Sequence, residues 1–102
     1  MENFSLHAVV LKVADAFQRS AESLEQTAYH YRKFACEPSV WDSAKSENGM
    51  LLGLMDGIGI ALGEDYRRFI EDSASVVVAT RRFDTIFHAI KAQHGTYVPY
   101  NG

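Results

Sequence analysis

One cysteine, two prolines and no long uncharged apolar run set the first limits on this sequence of 102 residues. Cys36 alone cannot form an internal disulfide, so the fold rests on packing and the compartment stays open; a packed or boundary thiol is the expected state of that side chain. Neither Gly nor Pro occurs from Ser5 to Glu37, so nothing there breaks a helix. The apolar run Met50–Leu62 carries Asp56 and is shorter than the roughly 20 residues that cross a bilayer, so a buried or interfacial helix is expected and not a membrane span. Positive charge is also scarce. The formal net charge is −3, and the Arg67-Arg68 and Arg81-Arg82 pairs are the longest basic clusters, so no nucleic acid is expected as a partner. Met1-Glu2-Asn3 is acidic and resembles no Sec-type signal, so the expected compartment is the cytoplasm, with export left to a route without such a signal.

Catalytic patterns are missing as well. No His, Cys or carboxylate falls into the HExxH spacing, and Gly57-x-Gly59 is followed by Gly63, which makes neither a dinucleotide fingerprint nor a P-loop. His88 and Asp84 are four apart and can meet on a helix, as a surface contact rather than an acid–base pair. His30, between Tyr29 and Tyr31, reads as a packed or solvated side chain. Glu64, Asp65, Glu71 and Asp72 would need a Glu-x-x-His pattern to resemble a di-iron bundle site, and no Glu is followed by His at that spacing. No enzyme activity, cofactor or metal is expected.

Two apolar seams, alternately three and four residues apart, are present instead. The first is Leu6, Val10, Val13, Phe17, Ser20, Leu24, Thr27, Tyr31, Phe34; the second is Leu52, Met55, Gly59, Leu62, Tyr66, Phe69, Ser73, Val76, Thr80, Phe83, Phe87, Ile90. An average spacing near 3.5 keeps one apolar edge facing a neighbouring helix. At 47% hydrophobic and 23% charged residues the chain has the composition of a folded domain. The expected fold is all-α: helix 5–36 with Asn3 or Ser5 as N-cap, a turn over 37–49, helix 50–94, and a mobile tail over 95–102. Pro38 ends the first pattern or opens the second helix, whose start lies between 39 and 50.

Five glycines, Gly49, Gly53, Gly57, Gly59 and Gly63, crowd the second seam. Each costs about 0.8–1.0 kcal/mol relative to Ala inside a helix. Close approach of another helix would offset that cost; a kink or break near Gly63, with Glu64 and Asp65 opening a new segment, is the alternative. Two helices bury only one stripe each, and a chain this small is poor in buried surface. An antiparallel two-helix hairpin, its second helix kinked or not near Gly57–Gly63, would therefore complete a four-helix bundle by dimerising. The expected interface is Val10, Val13, Phe17, Leu24 and Tyr31 against Leu62, Phe69, Val76 and Phe83, with Leu51, Leu54 and Ile58 as a surplus apolar edge. Trp41, the lone Trp, would cap the open end of the core or contact a partner.

Two long helices, a lone Trp between them and no catalytic constellation resemble the WXG100 (ESAT-6-like) superfamily and the small helical partners of LXG toxins. Phe4-Ser5-Leu6 is similar to the family's opening, and Val40-Trp41-Asp42-Ser43 lies where the family has Trp-x-Gly. Glu64-Asp65-Tyr66-Arg67-Arg68-Phe69 and Ala79-Thr80-Arg81-Arg82-Phe83-Asp84 are similar in pattern to its second helix. Ser43 replaces the motif Gly, and no Tyr has an acidic residue four positions on. The Phe-x-x-x-Asp signal is also absent, with Phe83-Asp84 as the nearest targeting remnant. The resemblance implies a non-enzymatic protein of a type VII secretion system. It would form a homodimer, or a heterodimer with a sibling or an LXG-type toxin's N-terminal helical domain. The alternative is a cytosolic helical adaptor, chaperone or immunity-type protein unrelated to secretion.

Overall fold

The computed structural model describes residues 5–30 and 38–95; the backbone alone is described for His30 and Gly95. Those residues form four helices and no strand: α1 Leu6–His30, α2 Pro38–Leu62, α3 Glu64–Asp72 and α4 Ala74–Gly95. Tyr31, Phe34, Cys36 and the expected tail from Thr96 onward lie outside the described residues.

Ser5 caps α1. Its Oγ accepts the Ala8 N–H at 3.3 Å, satisfying one of the donors a helix start leaves unpaired, and its carbonyl accepts the Val9 N–H as the first bond of the helix. Val10, Val13, Ala14, Phe17, Ser20, Ala21 and Leu24 then repeat at three and four and are buried on one face.

From Pro38 on, the expected turn over 37–49 is helix instead. Pro38 opens α2, where its missing N–H has no intrahelical partner to lose. Within the polar stretch 42–49, Asp42, Ser43, Lys45, Ser46 and Gly49 are exposed, while Val40 and Ala44 are buried on the inner side of the helix. At the other end the chain reverses at Gly63, with φ 97° and ψ 159°. This backbone region belongs to glycine, since a Cβ would clash there. Gly63 still links the two helices, donating to Gly59 O and accepting from Arg67 N.

The expected single helix over 50–94 is therefore three segments. The second interruption is one residue long. Ser73 is extended (ψ 137°), and its Oγ back-bonds to Phe69 O at 2.9 Å, a habit of Ser that bends helices. Its own carbonyl accepts Val77 N–H and starts α4.

Neighbouring side chains set the topology. Leu6 and Val10 lie beside Phe69 and Ser73, while Glu25 and Ala28 lie beside Thr85 and Gln93, so α1 and α4 run parallel. Trp41 meets Phe87 and His94, Ser20 meets Glu47, and Met55 lies with Val76, so α2 runs back against both. The result is an up-down-up bundle of three rods, the third being α3 plus α4. The two seams do meet, but in parallel and not as a hairpin, because α2 carries the chain back between them. α1 packs most extensively on α4. Phe17 and Phe83 meet edge to face at 6.2 Å in the middle of this pair. Fully burying a side chain of this size is worth about 1.5–3 kcal/mol, and Leu24, Leu51, Ile70, Phe83 and Ile90 are all at most 2% exposed.

Candidate interaction surface

The bundle core accounts for most of the residues expected at a partner interface. Val10, Val13, Phe17 and Leu24 on α1, Leu51 on α2, and Val76 and Phe83 on α4 are buried within the chain. Their burial comes from α2 folding back on the α1–α4 pair. Ile58 and Leu62 are half-buried, and Tyr31 lies outside the described residues. Leu54 and Phe69, at 37% and 56% exposure, remain on the surface. Of the targeting remnant, Phe83 is buried and Asp84 is exposed.

Trp41 sits in the first turn of α2, not in a turn between helices. Its ring packs on Phe87 (5.5 Å between centroids) and stacks on His94 (5.2 Å, 20° between planes), and Lys45 Nζ lies 5.6 Å from its ring centre. Ser43 follows the same helix and is exposed. Trp41 and His94 thus close one end of the bundle, where α2 begins and α4 ends.

Three apolar features remain on the outside. One is a groove of about 410 Å³ between α2 and the α3–α4 rod, with Phe17, Leu51, Met55 and Phe83 in its walls and Arg81 and Asp84 at its rim. Another is an end patch where Leu6 meets the exposed Tyr66 and Phe69. The last is the outward face of α2. Gly49, Gly53 and Gly57 lie in one row along it, and a Cβ at any of them would meet nothing within 4 Å. Met50 (56% exposed) and Ile60 (87%) share that face. At about 0.8–1.0 kcal/mol each, the three glycines destabilise α2 without a packing gain against any of the described residues.

Gly59 differs. A Cβ there would approach Glu64 Oε1 to 2.6 Å and Arg67 Cδ to 3.1 Å, so this glycine leaves room for the Glu64 and Arg67 side chains. Arg67 holds the reversal at Gly63 closed. It donates to Glu71 at 3.0 Å and pairs with Asp56 (3.3 Å) and Glu64 (3.7 Å). The hydrogen bond to Glu71 holds the Arg67 guanidinium above its usual range; the opposing effect of burial comes next, and the charges of Glu64, Glu71 and Asp56 add to the rise.

Sequence reasoning missed the Ser20–Glu47 hydrogen bond, 2.6 Å long, between α1 and α2. A signal existed: Ser20 sits mid-seam among apolar neighbours, where a hydroxyl needs a partner. Glu47 was hidden by its place in a stretch that reads as loop. Among the described residues no group of three or more His, Cys, Asp or Glu side chains could hold a metal, and no helix is long and apolar enough to cross a membrane.

No protein-family model matches the chain, and no curated protein or solved structure is significantly similar to it.

Proposed function

We propose that this chain is a non-enzymatic helical protein whose work is to bury its exposed apolar surface against other helices. The observation that carries the reading is the outward face of α2, where three glycines and two large apolar side chains stand in open space. Exposed apolar groups collected on one face mark binding sites, whereas scattered ones are ordinary. The end patch of Leu6, Tyr66 and Phe69 adds a second apolar area.

The partner class follows from the sequence resemblance: a second copy, a sibling chain, or the N-terminal helical domain of an LXG-type toxin, within a type VII secretion system. That assignment rests on the resemblance alone. The bundle geometry supports helix binding in general, which a cytosolic adaptor, chaperone or immunity-type protein would share.

Co-expression with the products of neighbouring genes, followed by capture on a tag and mass measurement, tests both parts. The expected result is a stoichiometric complex with a small helical protein or toxin domain, weakened by Gly53→Leu. Neighbours that include a secretion ATPase or LXG toxin favour the secretion reading. A chain that forms no complex with itself or with any neighbour's product contradicts the proposal.

A further inference from the structure

The outward face of α2 has more structure than an apolar patch needs. Gly49, Gly53 and Gly57 recur every fourth residue with helical backbone angles, since only Gly63 among the described residues has positive φ. Among the described residues nothing lies within 4 Å of a Cβ at any of them, so alanine would fit at each position. Glycine in such a row lets a second backbone come close. Charge is placed with equal economy. From Ser46 to Met55 the only charged residue is Glu47, which turns inward to Ser20. Lys45 and Asp56 bound this neutral stretch. They are eleven residues apart, which at 3.6 residues per turn brings them back to within about 20° of the same flank of the helix.

We infer that α2 is a self-association surface on which two copies of this chain pack antiparallel about a two-fold axis at the level of Leu51. This rests on the reading of the chain as a helix-binding protein and names the occupant of that face. In this register Gly49 of one copy faces Gly53 of the other, and Lys45 lies beside Asp56 of the other, twice by symmetry. A two-fold interface requires such self-complementarity, because the same patch serves both sides. Other arrangements are worse. A parallel pair would leave Lys45 of one copy about 16 Å along the helix axis from Asp56 of the other, with no opposite charge beside either. Moving the axis to Gly53 would set Lys45 opposite Ala61 and Asp56 opposite Met50, again without a charge pair. The Leu51 register brings the opposite charges together.

Sedimentation equilibrium of the full chain with K45E and D56K, alone and mixed, tests the assignment. Each variant alone turns both symmetric pairs repulsive, so its self-association weakens about tenfold or more. An equimolar mixture restores attraction at both pairs and recovers dimer near the wild-type affinity. Gly53→Leu, which adds bulk where the chain itself leaves open space, abolishes the dimer while helical content and thermal midpoint hold. Because Asp56 also pairs with Arg67 of its own chain, the thermal midpoint of D56K is measured alongside; K45E gives up only the exposed pair with Asp42 and the contact with Trp41. Self-association that survives Gly53→Leu, or a mixture that fails to recover, overturns the α2 assignment. A wild-type chain that stays monomeric yet captures a neighbour-encoded helical protein overturns this inference and leaves the proposed function standing. Monomer without any capture overturns both.

Discussion

Ser20 Oγ on α1 donates a 2.6 Å hydrogen bond to Glu47 Oε2 on α2, joining the two helices from a position that is only 4% exposed. A charge-assisted bond between facing helices sets how far one can slide along the other, because a shift of one turn would leave the buried Ser20 hydroxyl and the half-buried Glu47 carboxylate unpaired.

Ser20→Ala therefore costs about 1–2 kcal/mol, since the half-buried Glu47 carboxylate loses its donor. Urea unfolding checks this: the midpoint falls while the slope stays that of the wild type.

Burial separates two phenylalanines that the seam treats alike. Phe83 is 1% exposed and meets both Phe17 and Phe87, so Phe83→Ala costs about 3–5 kcal/mol. Phe69 is 56% exposed, and Phe69→Ala stays within about 0.5 kcal/mol in the same unfolding measurement.

The glycines divide the same way. Gly63→Ala must place a Cβ at φ 97° and destabilises the reversal by about 1–3 kcal/mol. Gly53→Ala has helical angles and free space, so it stabilises the monomer by about 0.8–1.0 kcal/mol when unfolding is followed at high dilution. Opposite signs at two glycines ten residues apart are the expected result.

Much of the fold was legible in the sequence. The seam from Val10 to Leu24 and the positions of Val76, Phe83 and Ile90 follow helical spacing and are buried; Leu52, Tyr66 and Phe69 of the second seam are exposed, and Val40, Leu51 and Ile70, outside both seams, are buried. The path of the chain was not legible, for three reasons. The 42–49 stretch is polar enough to read as a loop, yet Ala44 on its inner side is buried. Pro38 and Gly63 admit two meanings each, since Pro ends or opens a helix and Gly interrupts a helix or lets another approach. Spacing does not carry direction either, so two seams that meet are equally consistent with parallel and antiparallel pairing, and only α2 decides. For the candidate surface, the row Gly49, Gly53, Gly57 was visible, but its openness was not.

Surface electrostatics contribute little. Arg82 bridges α4 to Glu22 (3.6 Å) and Glu25 (3.5 Å) on α1, all of them exposed. Arg82→Ala costs under about 1 kcal/mol, and molar salt removes the difference.

The Arg67 cluster carries no pH switch near neutrality. Its guanidinium is raised, chiefly by the hydrogen bond to Glu71, so its contribution is fully present below the ordinary guanidinium range and is lost only as pH rises through the folded value. The stability difference between wild type and Arg67→Ala is accordingly flat from about pH 7 to 9, well below where a guanidinium titrates. Thermal unfolding of both across that window checks it.

Light scattering of the purified full chain at micromolar concentration, alone and with co-expressed neighbours' products, tests the central claim most directly. The account predicts a mass above the 11.4 kDa of one chain, returning to that value with Gly53→Leu for the self-associated form. A stable, folded chain that stays at 11.4 kDa in every mixture would contradict it.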